Sequence, residues 1–286
     1  MKKEIFKYIK IFLLISIISV SGVSCSSIPD KIDCAKPGTL KYKLFSKTIA
    51  SVLHDNGMID YRKLKANHKL LDEFVNSIKC VGPETTPQFF PSKQDKIAFW
   101  INVHNAVALQ SAVKKYPCKS VYSFWRDFNT STRAYVDGKL LTLAQIAENA
   151  RKVSDYDPRV ELALSIPAKG SPKLTKELFC PEKLDSQLDN AVQRALDDNK
   201  LILIAHEDWA IKLGKPFWRV RKKLINSYKQ IFNTPQASIV NALGLYANEA
   251  QRKRLNTAIG YNVRPLAFDW ALNDDSQAPC SLDNLN

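Results

Sequence analysis

Ile97–Pro117 reads IAFWINVHNAVALQSAVKKYP, an apolar run of helical composition that stops at a proline. Its centre, Phe99-Trp100-Ile101-Asn102-Val103-His104-Asn105-Ala106, puts two amides and an imidazole into a stretch apolar enough to be buried. A buried amide without partners costs about 1–3 kcal/mol, so the fold must supply hydrogen bonds to these side chains. Asn102 and Asn105 lie three residues apart on one helix face, with His104 round the helix from both. Two readings follow. The asparagines either satisfy neighbouring loop backbone and fix the fold, the ordinary use of buried amides, or they line a site and donate to a ligand carbonyl or an oxyanion. His104 correspondingly packs in the core or acts as a base.

Working outward, helical patterns dominate. Tyr42–Asn56 places Leu44, Phe45, Thr48, Val52 and Leu53 on one face and ends at Asn56-Gly57. Lys69–Cys80 repeats the pattern with Leu70, Leu71, Phe74 and Ile78. Asp137-Gly138, between Tyr135–Val136 and Lys139–Leu141, is a tight hairpin signal. Thr142 with Gln145 three residues on predicts a capping box opening a helix to about Lys152. Beyond the break at Asp157-Pro158, Val160–Ile166 fits either a buried strand or a helix end. An amphipathic helix over Lys183–Asn199, a short strand at Leu201–Ala205 and helices at about Pro216–Phe232 and Ser238–Asn256 complete the pattern. With no internal repeat and no long linker, this predicts an α+β fold: one helix-rich domain with a small β-sheet, spanning residues 40–273.

The first ten residues carry four lysines, and Ile11–Val20 is apolar but short of the ~20 residues a membrane span needs. Residues 1–24 therefore read as a signal peptide. Ser21-Gly22-Val23-Ser24-Cys25 resembles a relaxed bacterial lipobox, with Gly22 where an aliphatic is usual, which makes Cys25 the lipidated first residue of the exported protein, 25–39 a tether and 274–286 a polar tail; the alternative is ordinary signal-peptidase cleavage near Ser24. Loss of residues 1–24 removes four Lys and one Glu, taking the net charge from +14 to +11. A basic exported protein meets acidic polymers or anionic headgroups, and export argues against a nucleic-acid partner. The charge is densest over 212–229, where Arg219, Arg221, Lys222 and Lys223 surround Phe217 and Trp218. This is either a solvated helix face with its aromatics turned inward or a surface for anionic lipid. The six cysteines show no metal-ligand spacing and no cofactor motif is present. A disulfide falls most easily among Cys34, Cys80 and Cys118.

The Phe-Trp-Ile-Asn-Val-His-Asn-Ala segment resembles the domain of unknown function 547 family, whose mark is Phe-Trp-Ile-Asn-x-Tyr/His-Asn-Ala in a helix ending at Tyr-Pro. Later segments follow the family order: Gly138–Ile146, Asp157-Pro158-Arg159-Val160 with Ala163-Leu164, Lys169–Leu174, Leu184–Leu196 and Phe268–Asn273. The resemblance covers roughly Leu40–Asn273. The family's Cys- and His-bearing segments imply a cleft with nucleophilic chemistry, because a thiolate forms readily beside an imidazole. This chain departs there. Ile166 and Ser171 stand at the two cysteine positions, Ser165 at an asparagine, and Glu161 and Asn149 where many members have histidine.

Three functions follow from these observations. The first is an exported, membrane-anchored envelope protein that binds an envelope ligand without catalysis, through Asn102, Asn105, Glu161 and Asp269. The second is a hydrolase or acyl-transferase on an envelope peptide or amide, using Ser171 with His104 or His206 and donors from the asparagines. The third is a basic protein that binds anionic lipid. Asp269 is also a candidate to cap its own segment or to pair with an arginine. His206, amid Glu207 and Asp208, fits a surface turn better than a metal site, and none of the readings fixes an oligomeric state.

Overall fold

The computed structural model describes residues 31–34, 38–124 and 128–275. The segment expected to be a signal peptide, Cys25 and most of the expected tail lie outside them. The quoted segment is the central helix, α4 (Lys93–Lys115). It starts four residues before Ile97, because Ser92 and Asp95 close a reciprocal capping box, and it ends at Tyr116 before Pro117. Every residue from Ile97 to Gln110 is buried, so α4 has no solvent face over this span and is a core helix rather than an amphipathic one. The other helices of this half wrap it. α1 (Tyr42–Val52) packs on α3 (Lys69–Ser77), with Phe45 stacked on Phe74 at 5.1 Å. Between them α2 (Tyr61–Ala66), which the sequence pattern does not show, is capped by Asp60.

The predicted hairpin is β1 (Arg133–Val136) with β2 (Lys139–Thr142), following the short helix α5 (Phe128–Ser131). Asp137 and Gly138 both have positive φ, 53° and 77°, as a two-residue turn of this hand requires. The buried Asp137 carboxylate also accepts from the Glu84 and Thr85 N–H groups, which ties the turn to the preceding loop. Thr142 and Gln145 form the expected capping box of α6 (Leu143–Val153), the helix packed most extensively on α4. Cys34 and Cys80 form a disulfide beside this half, leaving Cys118 outside it.

A second apolar cluster belongs to the C-terminal half. It is built by α7 (Leu184–Leu196), α8 (Lys215–Ile231), α9 (Ile239–Gly244) and α10 (Glu249–Asn256) around a three-stranded sheet. In that sheet β3 (Ile202–Ala205) runs antiparallel to β4 (Ala210–Leu213), and β4 runs parallel to β5 (Asn262–Pro265). The architecture is α+β, as predicted, with two corrections of detail. Ser238–Asn256 is not one helix: Asn248 and Gln251 form a second capping box inside the run and start α10 afresh. Val160–Ile166 is neither strand nor helix end. Asp157 caps a 3-10 turn over Pro158–Leu162, and the backbone that follows is satisfied by a side chain of α4. Among the described residues, no helix is long and apolar enough to cross a membrane.

Candidate functional site around His104

The two asparagines of α4 grip loop backbone. Asn102 Nδ2 donates to the Phe179 carbonyl at 2.8 Å, and the Phe179 N–H donates back to Oδ1 at 3.1 Å. Asn105 does the same one turn on: Nδ2 donates to the Ala163 carbonyl at 3.0 Å and Oδ1 accepts the Ser165 N–H at 2.8 Å. Both residues are buried, with the oxygen and one N–H of each amide bonded to loop backbone, and neither lines the His104 cavity. Asn105 has one further contact: its Oδ1 lies 3.1 Å from His104 Nδ1. The two backbone bonds fix which end of the amide is oxygen, so Nδ1 must carry the proton and donate. Nε2 is then the ring's acceptor, and it has no partner among the described residues. Burial, reinforced by the nearby Arg151 charge, pulls His104 down to about 4, so the ring is neutral at physiological pH despite the Asn105 bond.

His104 opens onto a cavity of about 160 Å³ shared with Arg151, Glu161, Ile166, Ser171 and Arg219. Each element arrives for a local reason. α6 presents Arg151 in its last turn. The 3-10 turn that follows Pro158 holds Glu161 against Arg151 Nε at 2.8 Å, while Arg219, from the first turns of α8, reaches the other carboxylate oxygen at 2.8 Å. Arg151 also lies 3.5 Å from Glu148. Phe268 is brought over the cavity by backbone pairing: Lys169 and Gly170 N–H groups donate to the Ala271 and Asp269 carbonyls, each at 2.9 Å. A side chain at Gly170 would stand 2.7 Å from the Asp269 nitrogen, so glycine is what permits this approach. Lys215, on the rim, has its Nζ 5.7 Å from the Phe268 ring centre and 5.2 Å from that of Trp270. It has no hydrogen bond or ion pair among the described residues, and its pKa is lowered by partial burial and by Arg219, against the opposing pull of Glu161. With His104 neutral, the lining holds three cations and one carboxylate.

Ser171 lies on the same wall, but its hydroxyl is committed. Oγ accepts the Ile166 N–H at 2.8 Å and lies 3.4 Å from the Pro172 carbonyl, to which it donates. No hydrogen bond joins it to His104, so the arrangement of a serine with its proton on an imidazole is not present. Ile166 contributes only apolar surface.

Residues 89–194 match the family model for a protein of unknown function, DUF547. That segment belongs to the DUF547 family. The match runs from the loop before α4 through α7, and is narrower than the motif order from Leu40 to Asn273. No curated protein and no solved structure matches the chain. The DUF547 segment supplies His104, Arg151, Glu161, Ile166 and Ser171, whereas Lys215, Arg219 and Phe268 close the cavity from beyond it.

Of the residues singled out in the sequence, the cavity therefore gathers His104, Glu161, Ser171 and Arg219, with Ile166. It leaves out Asn102 and Asn105 as ligand contacts, Asn149 and Asp269. Asp269 pairs with Lys200 at 2.8 Å, not with an arginine, and its Oδ1 accepts the Ala271 N–H. His206 sits in the exposed β3–β4 turn, its Nδ1 2.9 Å from the Tyr261 hydroxyl. The basic stretch is not one free face. Lys212 is in β4, Arg219 pairs with Glu161, Arg221 stacks 3.7 Å over the Trp218 ring and Lys223 donates to the Asp155 carbonyl; of the four residues proposed for anionic lipid, only Lys222 has no partner among the described residues. Among the described residues no cluster of three or more His, Cys, Asp or Glu could hold a metal ion. Arg151 and Lys215 escaped sequence reading: each looks like a solvated helix charge, and the one available signal was that a buried Glu161 needs cations.

Proposed function

We propose that the chain is a cell-envelope lipoprotein, anchored through Cys25, whose DUF547 domain holds a small ligand in the His104 cavity without covalent chemistry. The observation that carries this reading is the state of the polar groups on the cavity wall. His104 Nε2 and Lys215 Nζ are unpaired and available to a ligand, while the one hydroxyl at a family cysteine position is spent on backbone. A nucleophile needs a base at hydrogen-bond distance, and Ser171 has none. The envelope location is supported by the basic, apolar N-terminus and by Cys25.

The tests are separate. A fluorophosphonate probe should leave Ser171 unlabelled under conditions that label a reference serine hydrolase; stoichiometric labelling would establish the hydrolase reading instead, since both Ser171 and His104 line one cavity. Cys25→Ser should move the protein from the membrane to the soluble fraction, and unchanged partitioning would remove the anchor.

A further inference from the structure

The cavity selects its ligand by two independent features. The first is charge. Arg151, Arg219 and Lys215 line the cavity with one carboxylate, Glu161, which is bonded by both arginines, and outside the lining Arg151 also pairs with Glu148. Each guanidinium has five N–H donors, of which Glu161 takes one from each and Glu148 lies against Arg151, so donors remain, and the Lys215 ammonium has ring contacts but no hydrogen bond or ion pair among the described residues. An excess of positive charge at the mouth of a small cavity, with a ring wall from Phe268, calls for an oxyanion.

The second feature is the sense of the hydrogen bond at His104. Asn105 holds the proton on Nδ1 and burial keeps the ring neutral, so Nε2 is the acceptor. A ligand that is all acceptors, such as a fully ionised sulfate or a simple carboxylate, would set lone pair against lone pair there. The cavity, about 160 Å³, has room for about five water molecules and is below the ~300 Å³ of sites for drug-sized ligands. We propose that it is the site of a small oxyanion that carries its own hydrogen-bond donor, the oxyanion against Lys215 and Arg219 and the donor on His104 Nε2. Hydrogenphosphate, with its P–OH, and 2-hydroxy acids meet both conditions. The inference rests on the reading of this cavity as a ligand site.

Two matched pairs of probes test it: hydrogenphosphate against sulfate and lactate against propionate, each titrated by calorimetry or by amide chemical shifts near pH 8 into the purified protein. The donor-bearing member of at least one pair should bind about tenfold more tightly than its partner, the worth of one well-made hydrogen bond at a buried site, and the pair that discriminates tells phosphate from carboxylate. His104→Phe should abolish the discrimination, with hydrogenphosphate and lactate weakened and sulfate and propionate bound no more weakly than by the wild type. Lys215→Met, an exposed position whose replacement spares the core, should weaken all four while preserving the ratios. Equal affinities within both pairs would overturn the donor requirement. If none of the four binds while neutral 1,2-propanediol does, the oxyanion falls and the ligand site stands. Tight binding accompanied by conversion of the probe to a new product would leave the oxyanion standing and refute the non-catalytic reading.

Discussion

Acid should weaken this fold through one histidine, and the size of the effect follows from the His104 environment. The ordinary imidazole pKa is 6.5, and in the folded chain burial brings His104 to about 4. The charged groups around the cavity are Arg151 from α6, Lys215 and Arg219 from α8, and Glu161, whose carboxylate is held by both arginines. A depressed histidine contributes stability that is complete above the unfolded pKa and lost as the pH falls through the folded one. Between 6.5 and about 4 the unfolded chain binds a proton that the folded chain refuses, so stability falls with pH across that window. Each pH unit of separation is worth about 1.4 kcal/mol, which puts the loss at pH 5 near ~2 kcal/mol and the acid limit near ~3 kcal/mol. Urea unfolding at pH 7 and pH 5, on the wild type and on His104→Tyr, isolates the effect, because every other titrating group is common to both. The wild type should lose about 2 kcal/mol more than the variant on going to pH 5. Equal losses in the two proteins, or a His104 imidazole resonance that titrates with a midpoint near 6.5, would refute the account of a desolvated neutral ring.

Other perturbations probe the fold and the site separately. Asn102→Ala strips both partners from the buried Phe179 backbone and should cost about 2–4 kcal/mol in equilibrium unfolding, two unsatisfied groups at 1–2 kcal/mol each; a loss under ~0.5 kcal/mol would show that the amide is not the staple. Glu161→Gln leaves Arg151 and Arg219 without their shared carboxylate, and with Arg219 half exposed the expected cost is about 1–2 kcal/mol in unfolding free energy; a variant as stable as wild type would mean that solvent already screens the cluster. Replacing both Cys34 and Cys80 by alanine opens a cross-link between residues 46 apart in sequence, and loop entropy sets the destabilisation at up to ~4 kcal/mol. Unchanged thermal unfolding would show that the bridge does not form.

The parts of the fold that are legible in the sequence are those where one local rule acts alone. The Asp137-Gly138 turn and the Thr142–Gln145 box each depend on residues within four positions, and both stand where the pattern puts them. Val160–Ile166 defeats pattern reading because its backbone groups are met by Asn105, 58 and 60 residues away. The parallel strand β5 is equally hidden, since its four residues are exposed and carry no alternating face. In the site the same distinction holds. His104, Glu161 and Ser171 are conspicuous by residue type, whereas Lys215 and Arg151 are ordinary helix charges until the chain folds α6 and α8 toward one another.

Asn105 shows why the opening alternative between staple and site is a false one. A buried amide bound only to backbone would be structural, and an amide facing a cavity would be functional, but this one acts on the site through its structural bonds. The Ala163 carbonyl and the Ser165 N–H determine the orientation of its amide, and that orientation determines which nitrogen of His104 holds the proton. The histidine therefore presents an acceptor to the cavity because the loop after Leu162 is pinned to α4. The relay does not involve Ile166 or Ser171, since neither side chain bonds to the imidazole. In the proposed site, that directional hydrogen bond chooses among ligands by whether they bring a proton.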